Sequence, residues 1–358
     1  MHFRPRLSAH APLGRAILLV TLAALSGCDY PTAVPLFDVQ WVFPIDDQSI
    51  SVVELLPADV AISGGNFQVD VPPATLNQTL GGLCAACIPL DGLTDPKPAF
   101  NLVYNQSTSL PTDVVSVELV SGSISLALQN NLGFDPISQA PASPGTLTIT
   151  LYDTDMNGRQ LAQVVLDGAT DALPAGLTTI PLNLEPGTIT SAIFTEVDFD
   201  SPLGNSVLID INAGFDVTMT VGTLLVSSAT INVDSVSVNI DQNQLDLEDI
   251  DPDIVSNIQS GSLILDVQNP FGVAITVVIE IGGPGIMTLQ DTLNIGSGPT
   301  SSATFSYEGL ELQSFLGKPG VFFRGVGTVV SPGFPATVTP TQVAVIEAKL
   351  DVVLEIGG

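Results

Sequence analysis

The sequence predicts an all-β protein made of antiparallel β-sandwich modules in tandem. Glycine and proline are frequent, at 32 and 27 of 358 residues. Long stretches with helical periodicity are missing, and short alternations of apolar and polar residues recur between turn-forming clusters. Such alternation is typical of strands that bury one face. The clearest examples are residues 37–43, 146–151, 207–221, 229–240 and 343–356.

The amino-terminal segment has the build of an export signal. Arg4, Arg6 and Arg15 precede the apolar run 16–25, and Leu25-Ser26-Gly27-Cys28 closes it. Ten apolar residues rise only about 15 Å in a helix, half the thickness of a hydrocarbon core, which favours a signal over a membrane span. The closing tetrapeptide resembles the lipobox of bacterial lipoproteins.

The lipobox resemblance implies where the protein is located and how it is processed. Residues 1–27 would be removed as a signal peptide, Cys28 would carry acyl chains, and residues 28–35 would form a short tether. The partner is then the membrane, bound through the acyl chains on Cys28. The expected location is the cell envelope, with the outer membrane or cell surface favoured, although Asp29 leaves the inner membrane open.

Removal of the signal leaves an unusual composition. Both histidines, His2 and His10, lie inside the signal. Five basic residues then remain against all 37 acidic ones, so the formal net charge falls from −29 to −32. This charge excludes nucleic acid as a partner. The lack of histidine excludes Ser-His-Asp and Cys-His catalysis and histidine-ligated metal sites, and we expect the protein not to be an enzyme.

An internal similarity predicts the domain organisation. Residues 119–135 align without gaps to 258–274, sharing a Ser-Gly-Ser start and a Gln-Asn pair, and 182–194 align to 293–305 at a shorter offset. We therefore predict a small β-rich module over 36–109, a first sandwich over 110–245 and a second over 250–358. The change of offset predicts an insertion in the first copy between residues 135 and 182, containing a hairpin.

The first aligned block also predicts which side chains are buried. Its strands have matching phase, so one face of each should point into a core. The expected core residues are Ile124, Leu126, Leu128, Leu263, Leu265 and Val267. The following Gln268-Asn-Pro-Phe-Gly272 and its next strand resemble the water-stress and late-embryogenesis-abundant group 2 domains, which implies an immunoglobulin-like sandwich.

A short acidic motif lies in the predicted hairpin. Asp153-Thr-Asp155-Met-Asn157-Gly158 has the oxygen-donor spacing at the start of a calcium-binding loop. The twelfth position of such a loop is Val164 here, so the expected bidentate glutamate is missing. Asn157-Gly158 is also a strong turn signal for a plain hairpin. Calcium, bound by Asp153, Asp155 and Asn157, is the one cofactor that the sequence suggests.

Two further clusters have competing interpretations. Five carboxylates over residues 246–253 lie between the predicted copies. Repulsion between them favours an extended, solvated connector. The alternative is that they bind calcium between the two modules. Cys84 and Cys87 favour a structural disulfide over free thiols or a redox site.

Two functions of different classes are compatible with these features. The favoured hypothesis is a lipid-anchored envelope protein with a structural, adhesive or protein-interaction role, whose partner is another protein, a glycan or a second copy. The alternative is a membrane-tethered carrier of a lipid or another apolar ligand, because the mean hydropathy is positive, at +0.44.

Overall fold

The computed structural model describes residues 36–138, 143–233, 235–285, 288–330 and 335–356. Strands dominate these ranges, and all strand pairs within them are antiparallel. The strands are β1 (Phe37–Ser51), β2 (Val60–Ser63), β3 (Asn66–Val69), β4 (Ala74–Thr79), β5 (Thr94–Pro96), β6 (Phe100–Ser109), β7 (Val114–Ser121), β8 (Ser123–Asn130), β9 (Thr146–Asp153), β10 (Gln160–Asp167), β11 (Gly176–Asn183), β12 (Gly187–Thr190), β13 (Ala192–Ser201), β14 (Ser206–Leu208), β15 (Gly214–Val221), β16 (Leu224–Ile231), β17 (Ser237–Gln244), β18 (Ile258–Gln268), β19 (Ile275–Gly282), β20 (Leu289–Ile295), β21 (Thr300–Glu308), β22 (Phe322–Val329), β23 (Ala336–Val338) and β24 (Val343–Ile356).

Helices are short and connect strands. Three have α geometry: α1 (Leu80–Leu83), α2 (Pro252–Ser256) and α3 (Gly309–Gln313). Two 3-10 turns cover Val52–Leu55 and Ala85–Leu90. The predicted all-β class is therefore confirmed.

Eight strands form a first β-sandwich. One sheet has the order β11-β8-β15-β4 and the other β10-β9-β13-β6. The rings of Phe199 on β13 and Phe215 on β15 meet edge to face with centroids 5.2 Å apart. Met219 Sδ on β15 lies 3.4 Å from Thr195 Oγ1 on β13. The two sheets therefore pack face to face through apolar side chains.

A second sandwich repeats this strand order. Its sheets run β21-β18-β24-β1 and β20-β19-β22-β17. The Tyr307 hydroxyl on β21 donates a hydrogen bond of 2.6 Å to Asp291 Oδ2 on β20, joining the two sheets. The six side chains predicted from the aligned block to be core residues are all buried: Ile124, Leu126, Leu128, Leu263, Leu265 and Val267.

Two buried asparagines explain the shared Gln-Asn pair. Asn130 donates through Nδ2 to the carbonyls of Phe134 and Leu173, and its Oδ1 accepts from the Leu132 amide. Asn269, at the aligned position, uses Nδ2 and Oδ1 in the same way. Its partners are the Val273 and Gly296 carbonyls and the Phe271 amide. Each side chain thus satisfies three backbone groups where a strand ends and a loop begins.

The shared Ser-Gly-Ser start also has a structural reason. A Cβ on Gly122 would lie 2.7 Å from Leu224 Cδ2, and one on Gly261 would lie 2.5 Å from the Asp351 carbonyl oxygen. A side chain at Gly261 would therefore overlap the backbone of β24, whereas one at Gly122 would displace the ends of buried leucine side chains.

The two sandwiches are nested in sequence rather than consecutive. The chain forms β1 of the second sandwich, then builds the whole first sandwich, and returns to the second at β17. The predicted boundaries therefore differ from those in the structure. Residues 36–109 do not form a separate module, because β1, β4 and β6 join sheets of the sandwiches. Hydrophobic patterning along the chain does not show which strands pair over long sequence distances.

The predicted insertion also differs from the structure. The hairpin β9–β10 belongs to the first sandwich, and β19–β20 takes the same place in the second. The second aligned block begins in β11 of the first sandwich but in β20 of the second, which have different positions in their sheets. Short alternating strands next to small-residue turns resemble one another, so this alignment paired strands that are not equivalent.

A third sheet contains two long strands, β7 and β16, and four short ones. Its order is β12-β7-β16-β3-β2, and β23 pairs with the end of β16. The strand β7 belongs to this sheet, and after Gly122 the chain continues as β8 in the first sandwich. β5 and β14 form a separate pair.

Candidate functional site

The predicted calcium motif forms the turn between β9 and β10. Asp153 Oδ1 accepts hydrogen bonds from the Thr190 amide at 2.5 Å and from the Thr154 hydroxyl at 3.1 Å. Asp155 Oδ1 accepts from the Asn157 amide at 2.8 Å. These carboxylates therefore hold the turn itself and fasten it to β12.

The glycine of this motif serves the same turn. A Cβ on Gly158 would lie 1.7 Å from the Asp153 carbonyl oxygen, so the hairpin excludes any side chain there. Thr154 has a positive φ of 67°, which fits a tight connection. Within the described ranges, no group of three or more His, Cys, Asp or Glu side chains is placed to hold a metal ion. The geometry matches the hairpin interpretation, and calcium binding stays a prediction.

The acidic segment 246–253 is not an extended connector between modules. It joins β17 to β18 within the second sandwich, and Leu245 and Leu247 are buried among its acids. The Leu245 amide donates to the Val321 carbonyl, and the Gly317 amide donates to the Leu247 carbonyl. Asp251 caps α2 by accepting from the Asp253 amide at 2.9 Å. Repulsion between the carboxylates predicted a solvated connector, but the burial of Leu245 and Leu247 holds the start of the segment against the sandwich.

Cys84 and Cys87 are joined in a disulfide, the arrangement that the sequence analysis favoured. Their Cα atoms are 5.3 Å apart, and both side chains are buried. The bond closes the connection between α1 and the 3-10 turn Ala85–Leu90. Within α1, the Gly81 amide donates to the Ile211 carbonyl. The place of the bond in a packed loop is typical of a structural disulfide.

Cys28 lies outside the described residues, as does the whole of 1–35. Within the described part of the chain, no helix has the length and apolar character needed to cross a membrane.

A buried lysine is a feature that the sequence analysis missed. Lys97 Nζ donates 2.6 Å to Ser201 Oγ and also to the Pro202 carbonyl, and Ser201 Oγ donates 2.5 Å to the Pro136 carbonyl. The Nζ atom also lies 5.3 Å from the centroid of the Phe100 ring. Burial lowers the pKa of Lys97 to about 8, against the opposing effect of Asp200 and Asp135.

The Lys97 cluster has the chemical composition of a nucleophile and its base. Ser201, however, is completely buried, and its proton is directed to the Pro136 carbonyl. The cluster therefore fastens the end of β13 to the segment before β6 rather than presenting a nucleophile. Its sequence signal was a lone lysine between Pro96 and Pro98 in a chain almost without basic residues.

Comparisons with known proteins identify no family for this chain. The sequence matches no protein-family model and no curated protein. A crystal structure of a protein from Parabacteroides distasonis ATCC 8503 that is inferred to be secreted matches at 12% identity and a TM-score of 0.34, over 89% of this chain and 100% of that one. The VP2 subviral particle of infectious bursal disease virus matches at 12% identity and a TM-score of 0.22, over 90% of this chain and 72% of that one. Similarities at these scores carry no argument about fold or function.

Proposed function

We propose that this protein is a lipid-anchored component of the bacterial cell envelope with a non-enzymatic role, presenting its sandwiches to another protein, a glycan or a second copy. The observation that carries the proposal is Leu25-Ser-Gly-Cys28 directly after an apolar run of ten residues. A lipobox of this kind is specific because the small residues and the cysteine must end the apolar run.

The groups that form the described polar clusters support a non-enzymatic role. The carboxylates of Asp153 and Asp155 accept hydrogen bonds from backbone amides of their own turn and its neighbour. Ser201 is sealed inside the Lys97 cluster. In each case the polar atoms are engaged in holding loops rather than converging on an open pocket, as a catalytic site requires.

Mass spectrometry of the purified protein tests the lipid anchor. We expect the amino-terminal peptide to begin at Cys28 and to carry acyl chains, and the protein to sediment with membranes. The variant Cys28→Ala should be released or should remain an unprocessed precursor. A mature, membrane-free protein with an unmodified Cys28 would refute the proposal. Extraction of the same sample into organic solvent tests the carrier alternative, which requires stoichiometric lipid beyond the acyl groups on Cys28.

A further inference from the structure

The first strand carries an apolar stripe that loses its cover toward its beginning. Ile45 is buried, Phe43 and Val39 are half-buried, Trp41 is 37% exposed and Phe37 is 61% exposed. Alternate residues of a strand share one face, so these five side chains form a single stripe. Trp41 and Phe43 also meet edge to face, with centroids 6.1 Å apart.

This stripe lies on the core-facing side of its sheet. Trp41 is paired with Val352, Phe43 with Leu350, and Val39 with Leu354. Side chains directly opposite in an antiparallel pair lie on the same face, and all three partners on β24 are buried. The core face of the sheet therefore continues along β1 beyond the point where other residues cover it.

The position at which the cover ends can be located. Residues 244–247, which follow β17, share a cleft with residues 43–46. Closer to the start of β1, Trp41 instead borders a small cleft with Ile254 and Leu354. Trp41 thus faces residues of α2 rather than the strand end that covers Phe43 and Ile45.

A second exposed apolar side chain lies at the same end of the sandwich. Ile258 is paired with Leu354, and Gln313 Nε2 donates to the Ile258 carbonyl at 3.2 Å. This contact brings α3 to the end where β1 begins. Leu310 on α3 is 81% exposed, and Leu36, just before β1, is 58% exposed. We call Leu36, Phe37, Trp41 and Leu310 the apolar end.

The sequence fixes how far this end can be from the proposed anchor. Seven residues lie between Cys28 and Leu36, so the eight residue steps from one to the other span at most about 28 Å. A lipid anchor on Cys28 would therefore hold this surface close to the bilayer. Tryptophan and phenylalanine favour the lipid headgroup region, where an apolar ring is solvated on one side. The neighbouring Asp38, Asp253 and Glu355 are acidic, which favours neutral over anionic lipid.

We propose that the apolar end rests in the headgroup region of a bilayer of neutral, zwitterionic lipid. The inference depends on the lipid anchor of the proposed function and adds a defined orientation to it: the second sandwich contacts the membrane through the start of β1 and through α3.

The single tryptophan of the chain allows a direct test. The lipidated protein is reconstituted in phosphatidylcholine vesicles, and Trp41 emission is compared with and without bromine on the lipid acyl chains. We expect emission to shift to shorter wavelength and to be quenched by the brominated lipid. Phe37→Ser with Leu310→Ser should reduce this quenching while the protein still floats with the vesicles, because the acyl chains remain.

A matched control moves the probe. In Trp41→Phe combined with Leu177→Trp, the only tryptophan occupies a position on β11 of the first sandwich, where the natural leucine is 64% exposed. This emission should be unaffected by bromine. Equal quenching of both proteins would overturn the assigned orientation.

The outcomes separate the two proposals. Failure of the protein to float with vesicles refutes the lipid anchor. Flotation without bromine quenching of Trp41 leaves the anchor intact and overturns the membrane contact. In that case, protection of Trp41 from iodide in solution would identify residues of the chain or a second copy as the cover.

Discussion

Asn130 and Asn269 show how single residues determine the local structure of this protein. Each is buried and satisfies two carbonyls and one amide at the end of a strand. The sequence revealed them only as part of a repeated Gln-Asn pair. Their role depends on loop carbonyls up to 43 residues away, which no local pattern contains.

We predict that Asn130→Ala and Asn269→Ala each lower the free energy of unfolding by about 2 to 4 kcal/mol, because buried backbone groups lose their partners. Urea denaturation measures the change. Asn131→Ala is the matched control, since this neighbouring side chain is exposed, and it should cost less than about 0.5 kcal/mol. Similar losses for Asn130→Ala and Asn131→Ala would contradict the assigned hydrogen bonds.

Lys97 gives a prediction about pH. Its pKa is lowered from 10.5 to about 8, so above pH 8 the unfolded chain holds a proton that the folded chain has released. Stability contributed by this residue should therefore rise between about pH 8 and 10. Unfolding of the natural protein and of Lys97→Met is compared across that range. A constant difference between the two would show that Lys97 titrates normally.

At the scale of elements, the turn between β9 and β10 combines strand pairing with a contact to β12. Its Asn-Gly signal was visible in the sequence because hairpin turns depend on local residues. The hydrogen bond from the Thr190 amide to Asp153 could not be predicted from the sequence, because it requires β12 to lie beside the turn.

We predict that Asp153→Ala lowers the free energy of unfolding by about 0.5 to 2 kcal/mol, because the Thr190 amide loses its hydrogen bond to a charged acceptor at the protein surface. The loss should be the same in millimolar calcium and in chelator if the carboxylate only holds the turn. Thermal melts of both proteins in both solutions decide the matter. Calcium stabilisation that disappears in Asp153→Ala with Asp155→Ala would establish a metal site.

The close strand approach at Gly122 and Gly261 gives another prediction. Alanine at either position should cost about 1 to 3 kcal/mol, because its Cβ would overlap the backbone of β24 at Gly261 and buried leucine side chains at Gly122. Gly296→Ala is the control: its nearest atom to a Cβ would be 4.0 Å away, and no unfavourable backbone angle is required there. In denaturation curves, Gly122→Ala and Gly261→Ala should unfold at lower denaturant concentration than Gly296→Ala. Equal stability of the three variants would contradict the close contacts at Gly122 and Gly261.

For the whole molecule, the sequence predicted the class and the buried faces but not the nesting. Leu126 and Leu265 were assigned to cores because strand alternation is a local property. The pairing of β1 with β24 joins residues about 290 to 320 positions apart, and nothing in the composition of β1 specifies its partner. The boundary at residue 109 therefore had no structural counterpart.

We predict that deletion of residues 36–51 damages the second sandwich more than the first. The deletion leaves the long strand β24 with an unpaired edge, which promotes aggregation. Hydrogen exchange should show faster exchange over β18 and β24 and little change over β8 and β15. Uniform loss of protection in both sandwiches would mean that they unfold as one unit.

The nesting of β1 sets the order in which the chain can fold. β1 is synthesised before every other described strand, yet its pairing partner β24 is the last. Closing so long a loop is slow, and contacts of this range reduce folding rates. Until β24 pairs with β1, the aromatic residues of β1 are not part of a sheet. The first sandwich can therefore form before the second is complete.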